Sequence, residues 1–246
     1  MTAGAALSSV AWRSASMSRR GPRHPMNEDS LLERPDAGLW VLSDGMGGHA
    51  AGKLASQTIV ANLGALPIVD DIEVFSDAVH NDLITADRWL CRAAAKQGEA
   101  TVIGATVVVL ILREKQAACL WSGDSRAYLF RDGELHRMSR DHTALQEWHD
   151  QGGARTAAIP PAENILTSAV GSGDRLVIGR RNFTVFRGDR FLLCSDGVTK
   201  ALSDTAIQRR LSGALGVAPQ LLLDEAHAAG TNDDATAIVI DVGADR

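Results

Sequence analysis

Aspartates recur where short apolar runs stop. Leu39-Trp40-Val41-Leu42 breaks off at Ser43-Asp44-Gly45, and Phe191-Leu192-Leu193-Cys194 at Ser195-Asp196-Gly197. Ala118-Cys119-Leu120-Trp121 breaks off at Ser122-Gly123-Asp124, and Asp233-Asp234 stands just before the run Ala235 to Val242. A single Asp-Gly after a strand is ordinarily a turn, because Asp bonds its own backbone and Gly accepts positive φ. Asp132-Gly133 is read that way. The repetition points further. Strands of one sheet system bring their ends together, and carboxylates gathered there repel one another unless cations sit among them. Carboxylate, carbonyl and water oxygens suit hard cations such as Mg²⁺ and Mn²⁺, and no His/Cys cluster competes for a softer metal. Two such cations can hold a bridging hydroxide and clamp a phosphate for in-line displacement. The leaving oxygen then needs a proton donor. His49 follows Asp44 on a glycine-flexible turn and is the candidate acid.

These groups need elements to position them. Ala51, Ala55, Ile59 and Leu63 recur at helical spacing and share one face. A second helix is expected from Ser76 to Lys96, with Val79, Leu83, Ala86, Leu90 and Ala94 inward. Ala105 to Leu112 is a continuous apolar, β-branched run, as a strand buried on both faces requires. Ala127–Phe130 and Glu134–Met138 flank Arg131-Asp132-Gly133 as a hairpin. Gly152-Gly153 and Pro160-Pro161 punctuate residues 143–168, which read as an irregular insertion with a short helix between Ala144 and Gln151. Strand signals return at Leu176–Ile178, Phe183–Phe186 and Arg190–Cys194. Two helices follow, Asp204–Ala214 and Pro219–Ala229, then a last strand, Ala235–Val242. Strands in runs with two pairs of helices depart from strict βαβ alternation. The absence of GxGxxG or GxxxxGK[ST] leaves nucleotide use unsupported.

Composition narrows the class. A net charge of −5 argues against nucleic acid as main partner, since a phosphate backbone selects a basic face. The 3 cysteines include no CxxC pair, so neither a disulfide framework nor a zinc site is expected, and a reducing compartment fits. Apolar runs are too short for a membrane helix. The N-terminal segment lacks the basic n-region of a secretory signal and reads as a frayed terminus leading into a first strand. Cytoplasm and a monomer are the expectations.

The chemistry-bearing motifs, taken in order, resemble the PPM, or PP2C-like, serine/threonine phosphatases of prokaryotic type. They are Asn27-Glu28-Asp29, Asp44-Gly45-Met46-Gly47-Gly48-His49, Gly123-Asp124-Ser125-Arg126, Asp141-His142-Thr143, Ser195-Asp196-Gly197 and Asp233-Asp234-Ala235-Thr236. The resemblance runs from about Val10 to Val242. It implies an α+β fold: a central β-sandwich of two antiparallel sheets flanked by helices, one domain over residues 1–246, with 143–168 as a flap. It also implies a centre of two Mn²⁺ or Mg²⁺ ions, with a third weaker ion. On that reading Asp44 bridges the ions and the Gly45 carbonyl is a ligand. Asp196 and Asp233 hold one ion, and Glu28 and Asp29 act on the other. Asp124 holds the third together with Asp196, and His49 is the general acid. Phosphorylated proteins would be the substrates, with a serine/threonine kinase as the opposing partner.

Two departures from the pattern matter. The arginine that usually precedes Asn-Glu-Asp and holds the phosphate is His24 here, with Arg23 before it. Either Arg23 reaches in or His24 replaces it, and a guanidinium fork and an imidazole are not equivalent phosphate ligands. The closing motif carries Asp233-Asp234 where Asp-Asn is usual. A phosphatase-like module that binds without turnover, and a hydrolase of small phosphoesters, are the competing readings.

Overall fold

The computed structural model describes residues 11–48, 50–98, 101–153, 159–173 and 175–243. The strands are β1 (Trp12–Arg19), β2 (Ser30–Arg34), β3 (Leu39–Ser43), β4 (Gly45–Met46), β5 (Gly104–Ala105), β6 (Val107–Arg113), β7 (Gln116–Ser122), β8 (Arg126–Arg131), β9 (Glu134–Arg137), β10 (Gly179–Thr184), β11 (Arg190–Cys194) and β12 (Ala235–Val242). The helices are α1 (Ala50–Ala65), α2 (Ile72–Ala95), α3 (Ala144–Asp150), α4 (Asp196–Thr199), α5 (Asp204–Leu211) and α6 (Ala218–Ala228). Two five-stranded antiparallel sheets, ordered β1-β12-β11-β8-β9 and β10-β7-β6-β3-β2, form the body, and β4 pairs with β5 apart from them.

Alternation along the central strands builds the layers. In β3, Leu39 and Val41 face α1 and α2, while Trp40 and Leu42 face the other sheet. In β6 the same split puts Val107, Val109 and Ile111 against the helices and Val108, Leu110 and Leu112 between the sheets. The second sheet does likewise: Phe191 and Leu193 point to the inter-sheet core, Leu192 and Cys194 to α5 and α6. Strands apolar on both faces are what a layer covered on both sides requires. The result is helix, sheet, sheet, helix, the α+β sandwich expected above.

The helices follow their sequence signals closely. α1 buries Ala55, Ile59 and Leu63, while Ala51 is only partly covered. α2 buries all five residues expected inward. It starts earlier than expected, at Ile72, because Asp71 caps it by accepting from the Glu73 and Val74 amides at 2.8 and 3.1 Å. The β8–β9 hairpin turns through Asp132 (φ 53°) and Gly133 (φ 85°), the paired positive φ angles of a type I′ turn.

Three expectations are corrected. The strand signals at 176–178 and 183–186 give way to a single strand between and overlapping them, β10 (Gly179–Thr184): 176–178 lie outside it, and its middle is the polar Arg180-Arg181-Asn182. As an edge strand pairing only with β7, it keeps little apolar patterning. Within the run 105–112, Thr106 interrupts pairing, because its amide turns to the Asp44 carbonyl at 2.8 Å. Helix α5 stops at Leu211, short of Ala214. Strand β2 has no counterpart in the sequence reading. Among the described residues no helix is long and apolar enough to cross a membrane.

Candidate metal centre

Topology alone brings the aspartates together. β3 ends at Ser43, opposite the start of β2 at Ser30, so Asp44 meets Glu28 and Asp29. β7 runs in the same sense as β3, because both are antiparallel to β6, so Asp124 emerges at that same end. In the other sheet Cys194 of β11 lies opposite Ala237 of β12, which places Asp196 beside Asp233 and Asp234. The ends of both sheets open into one cleft of about 610 Å³. His24, Glu28, Asp44, Gly45, Asp124, Asp196 and Asp233 line it. A smaller cavity of about 370 Å³ adjoins, lined by Arg23, His24, Lys200 and Asp233. His24 therefore faces the cleft itself, whereas exposed Arg23 stands at the adjoining cavity. His49 lies outside the described residues.

Helix α1 grips the segment that carries Glu28 and Asp29. Lys53 Nζ donates to the Asp29 carbonyl at 2.7 Å, and Ser56 Oγ donates to the Glu28 carbonyl at 2.5 Å. A side chain at Gly52 has no room, since its Cβ would stand 2.0 Å from Glu28 Oε2. Gly45 packs as tightly on the same helix turn, 2.3 Å from the Gly52 carbonyl oxygen to an added Cβ.

Asp29 is 2% exposed. Its Oδ2 accepts from Thr236 Oγ1 at 2.6 Å and from Ser195 Oγ at 3.0 Å. Its Oδ1 is buried with no hydrogen-bond partner, and Asp196 Oδ1 is the same. Burial pushes the Asp29 carboxyl up to about 7, with the Thr236 and Ser195 bonds opposing and Asp196 and Asp234 adding repulsion. Asp124 is likewise pushed up to about 7 by burial and then by Asp196, with Lys200 pulling the other way. Asp44 is held well above the carboxylate range by burial and by Asp29, Asp196, Asp124 and Asp233. Asp233 rises through burial and Asp196.

Buried carboxylates that destabilise one another, with oxygens left without donors, are the electrostatic signature of a cation site. The donors are all oxygen, which fits Mn²⁺ or Mg²⁺. Among the described residues no group of three or more His, Cys, Asp or Glu side chains is drawn together closely enough to hold an ion as it stands. A cation that the sequence reading missed lies among these carboxylates. Lys200 pairs with Asp196 Oδ2 and lies 3.9 Å from Asp124 Oδ2. Burial would lower its pKa, but Asp196 and Asp124 outweigh that and raise it, so the ammonium stays charged.

The second missed residue is Asp234, the aspartate standing where the pattern has Asn. It is 2% exposed and accepts from the Gly21 amide at 2.6 Å and the Glu28 amide at 2.7 Å. It thus ties the β1–β2 connection to the foot of β12. Its Oδ2 also lies 3.1 Å from His24 Nδ1, while Asp233 Oδ1 is 3.7 Å from His24 Nε2. Burial lowers the His24 pKa, but these carboxylates overcome it and raise it.

Asp141, His142 and Arg126 form the frame behind Asp124. Arg126 pairs with Asp141 through Nη2 at 2.7 Å and Nε at 3.1 Å, and Arg137 bonds the same carboxylate. The Gly123 amide donates to His142 Nδ1 at 3.3 Å, and the His142 amide donates to the Gly123 carbonyl at 2.9 Å. An accepting Nδ1 requires a neutral imidazole, and burial lowers the His142 pKa accordingly. Thr143 caps α3 by accepting from the Gln146 amide at 3.1 Å.

Comparison with known proteins follows the same lines. Residues 10–147 match the family Protein phosphatase 2C. The serine/threonine protein phosphatase PstP of Mycobacterium tuberculosis is 34% identical over 238 residues, covering 94% of this chain. The chain spans only 45% of the length of that curated relative. Among solved structures, PppA, described as a key regulatory component of T6SS in Pseudomonas aeruginosa, superposes with a TM-score of 0.89. It is 36% identical over 95% of this chain and 99% of its own. The catalytic domain of PstP, solved in complex with 2 manganese ions, gives a TM-score of 0.81 at 31% identity, covering 96% of this chain and all of its own. The sandwich, the order of its motifs and the matched residues together place this chain in the protein phosphatase 2C family.

Proposed function

We propose that this chain is a metal-dependent protein serine/threonine phosphatase. The observation that carries the reading is the cleft at the ends of both sheets, where buried carboxylates lack donors for Asp29 Oδ1 and Asp196 Oδ1. Asp44, Asp196, Asp233, Glu28, Asp29 and the Gly45 carbonyl would hold two Mn²⁺ or Mg²⁺ ions. When bound, such ions supply Lewis acidity that lowers the pKa of an attacking water and neutralises phosphoryl oxygens. The chain's own residues do the rest. His24, steadied between Asp234 and Asp233, orients the phosphate from the cleft wall. Arg23, at the adjoining cavity, is the alternative phosphate anchor. His49 supplies the proton to the leaving serine or threonine oxygen. Residues 143–168 act as a flap over the cleft, within one domain formed by the whole chain. The protein works as a monomer in the cytoplasm and opposes a serine/threonine kinase by acting on that kinase and its targets.

The test is phosphate release from a phosphothreonine peptide while Mn²⁺ is titrated against a chelator. Wild type is expected to turn over only with metal. Asp196→Asn is expected to lose at least about 100-fold in kcat, the scale on which removing one charged transition-state stabiliser acts. Turnover that persists in excess chelator would refute the reading. One observation favours a second reading, a phosphoprotein-binding module: His24 in place of an arginine. Tight phosphopeptide binding by a metal-loaded wild type that releases no phosphate would select it.

A further inference from the structure

Lys200 sits where three cavities meet. It lines the aspartate cleft, the cavity beside Arg23, and a third of about 280 Å³ that is also lined by Asp124, Arg126, Asp141 and Asp196. Its helix, α4, is a single turn, Asp196–Thr199, and Lys200 is the residue that closes it. An ordinary i,i+4 pair on an exposed helix contributes little and has no fixed partner beyond it. This lysine is different in its surroundings. Asp196 is 8% exposed and Asp124 7% exposed, so Lys200, itself partly exposed, reaches two buried carboxylates from different sheets.

The two oxygens of Asp196 are used differently. Oδ2 carries Lys200, while Oδ1 is buried and has no hydrogen-bond partner. Oδ1 is thus left for a cation of the binuclear centre, and Oδ2 is taken. Among the described residues the cation that pairs with Asp124 is Lys200. An ammonium tethered to this site acts at millimolar effective concentration, so a weakly held divalent ion must displace it.

We propose that Lys200 is a built-in cation at the Asp124–Asp196 position, so that the centre runs on two bound ions and one lysine rather than three ions. The proposal rests on the reading above in which the neighbouring carboxylates hold two ions. It makes Lys200 a positioning residue for Asp124 and Asp196, and it predicts a metal stoichiometry.

The experiment is calorimetric titration of the metal-free full chain with Mn²⁺. The proteins compared are wild type, Lys200→Met, Lys200→Arg and the double variant Lys200→Met/Asp124→Asn, each checked for native circular dichroism. Wild type and Lys200→Arg are expected to bind two Mn²⁺. Lys200→Met is expected to gain a third binding event that wild type lacks, raising the stoichiometry from two to three, and the double variant to lose it. Lys200→Gln replaces Lys200→Met if the latter fails to fold. Three ions in wild type, or a Lys200→Met isotherm that superposes on wild type with two, overturns the lysine proposal and leaves the phosphatase reading standing. No Mn²⁺ binding by any of the proteins overturns both.

Discussion

At the residue scale the cleft is governed by charge crowding. Six carboxylates, those of Glu28, Asp44, Asp124, Asp196, Asp233 and the adjoining Asp29, share a region whose described cations are Lys200 and His24. Removing one negative charge from such a group relieves repulsion. Asp196→Asn should therefore abolish turnover without lowering the melting temperature of the metal-free protein, although it loses the Lys200 ion pair. His24 is the residue where a second outcome is decided. Its imidazole stands in the cleft and Arg23 does not. If His24 is the phosphate anchor, His24→Ala raises KM roughly tenfold, the scale of one charge-assisted hydrogen bond, with a smaller change in kcat. Arg23→Ala changes KM by less than about threefold. The reverse ranking in steady-state kinetics would assign the anchor to Arg23.

At the element scale, the ligands are held by what packs behind them. Helix α1 approaches the Glu28 segment so closely that Gly52 is obligatory, with an added Cβ 2.0 Å from Glu28 Oε2 and 2.8 Å from the Gly45 carbonyl carbon. Gly52→Ala should cost about 1–3 kcal/mol, the usual penalty of overpacking, and weaken Mn²⁺ binding by displacing Glu28. Thermal melts and metal titration of the same sample read both effects, and a wild-type melting temperature would show that the helix yields. The frame of Asp124 depends on the pair Arg126–Asp141, with side chains 24% and 8% exposed. Breaking a buried pair by removing one partner is costly, so Arg126→Met should destabilise by about 3 kcal/mol in urea unfolding. Arg137, which shares Asp141, limits the loss.

At the scale of the whole molecule the cleft couples folding, protons and metal. Asp29 and Asp124 are pushed up to about 7 from an ordinary 3.8. Between those values the folded, metal-free chain holds protons that the unfolded chain has released. Stability then falls as pH rises through that window and levels off above about 7. Melting temperatures of the chelator-treated protein should be several degrees higher at pH 5 than at pH 7.5. Metal binding requires the deprotonated ligands, so saturating Mn²⁺ should stabilise more at pH 7.5 than at pH 5 and offset the decline. A metal-free melting temperature that rises from pH 5 to 7.5 would contradict the crowding described here.

The sequence by itself determined where the chain must bend toward chemistry. Strands apolar on both faces, ending abruptly at Asp44, Asp124 and Asp196, can exist only in a covered sheet, and the period of α1 and α2 named their inner faces. Those are local consequences of side-chain alternation and helical spacing, so they are legible in order along the chain. The edge strand β10 was not, because its polar middle, Arg180-Arg181-Asn182, carries no alternation. What only the tertiary structure decided is which charges meet. Asp234 looked like an extra carboxylate beside the ligands, yet it binds the amides of Gly21 and Glu28 more than 200 positions away. Lys200 carries no signal in the sequence, yet it closes on aspartates from both sheets. Contacts of that kind depend on strand order and register, which no local pattern encodes.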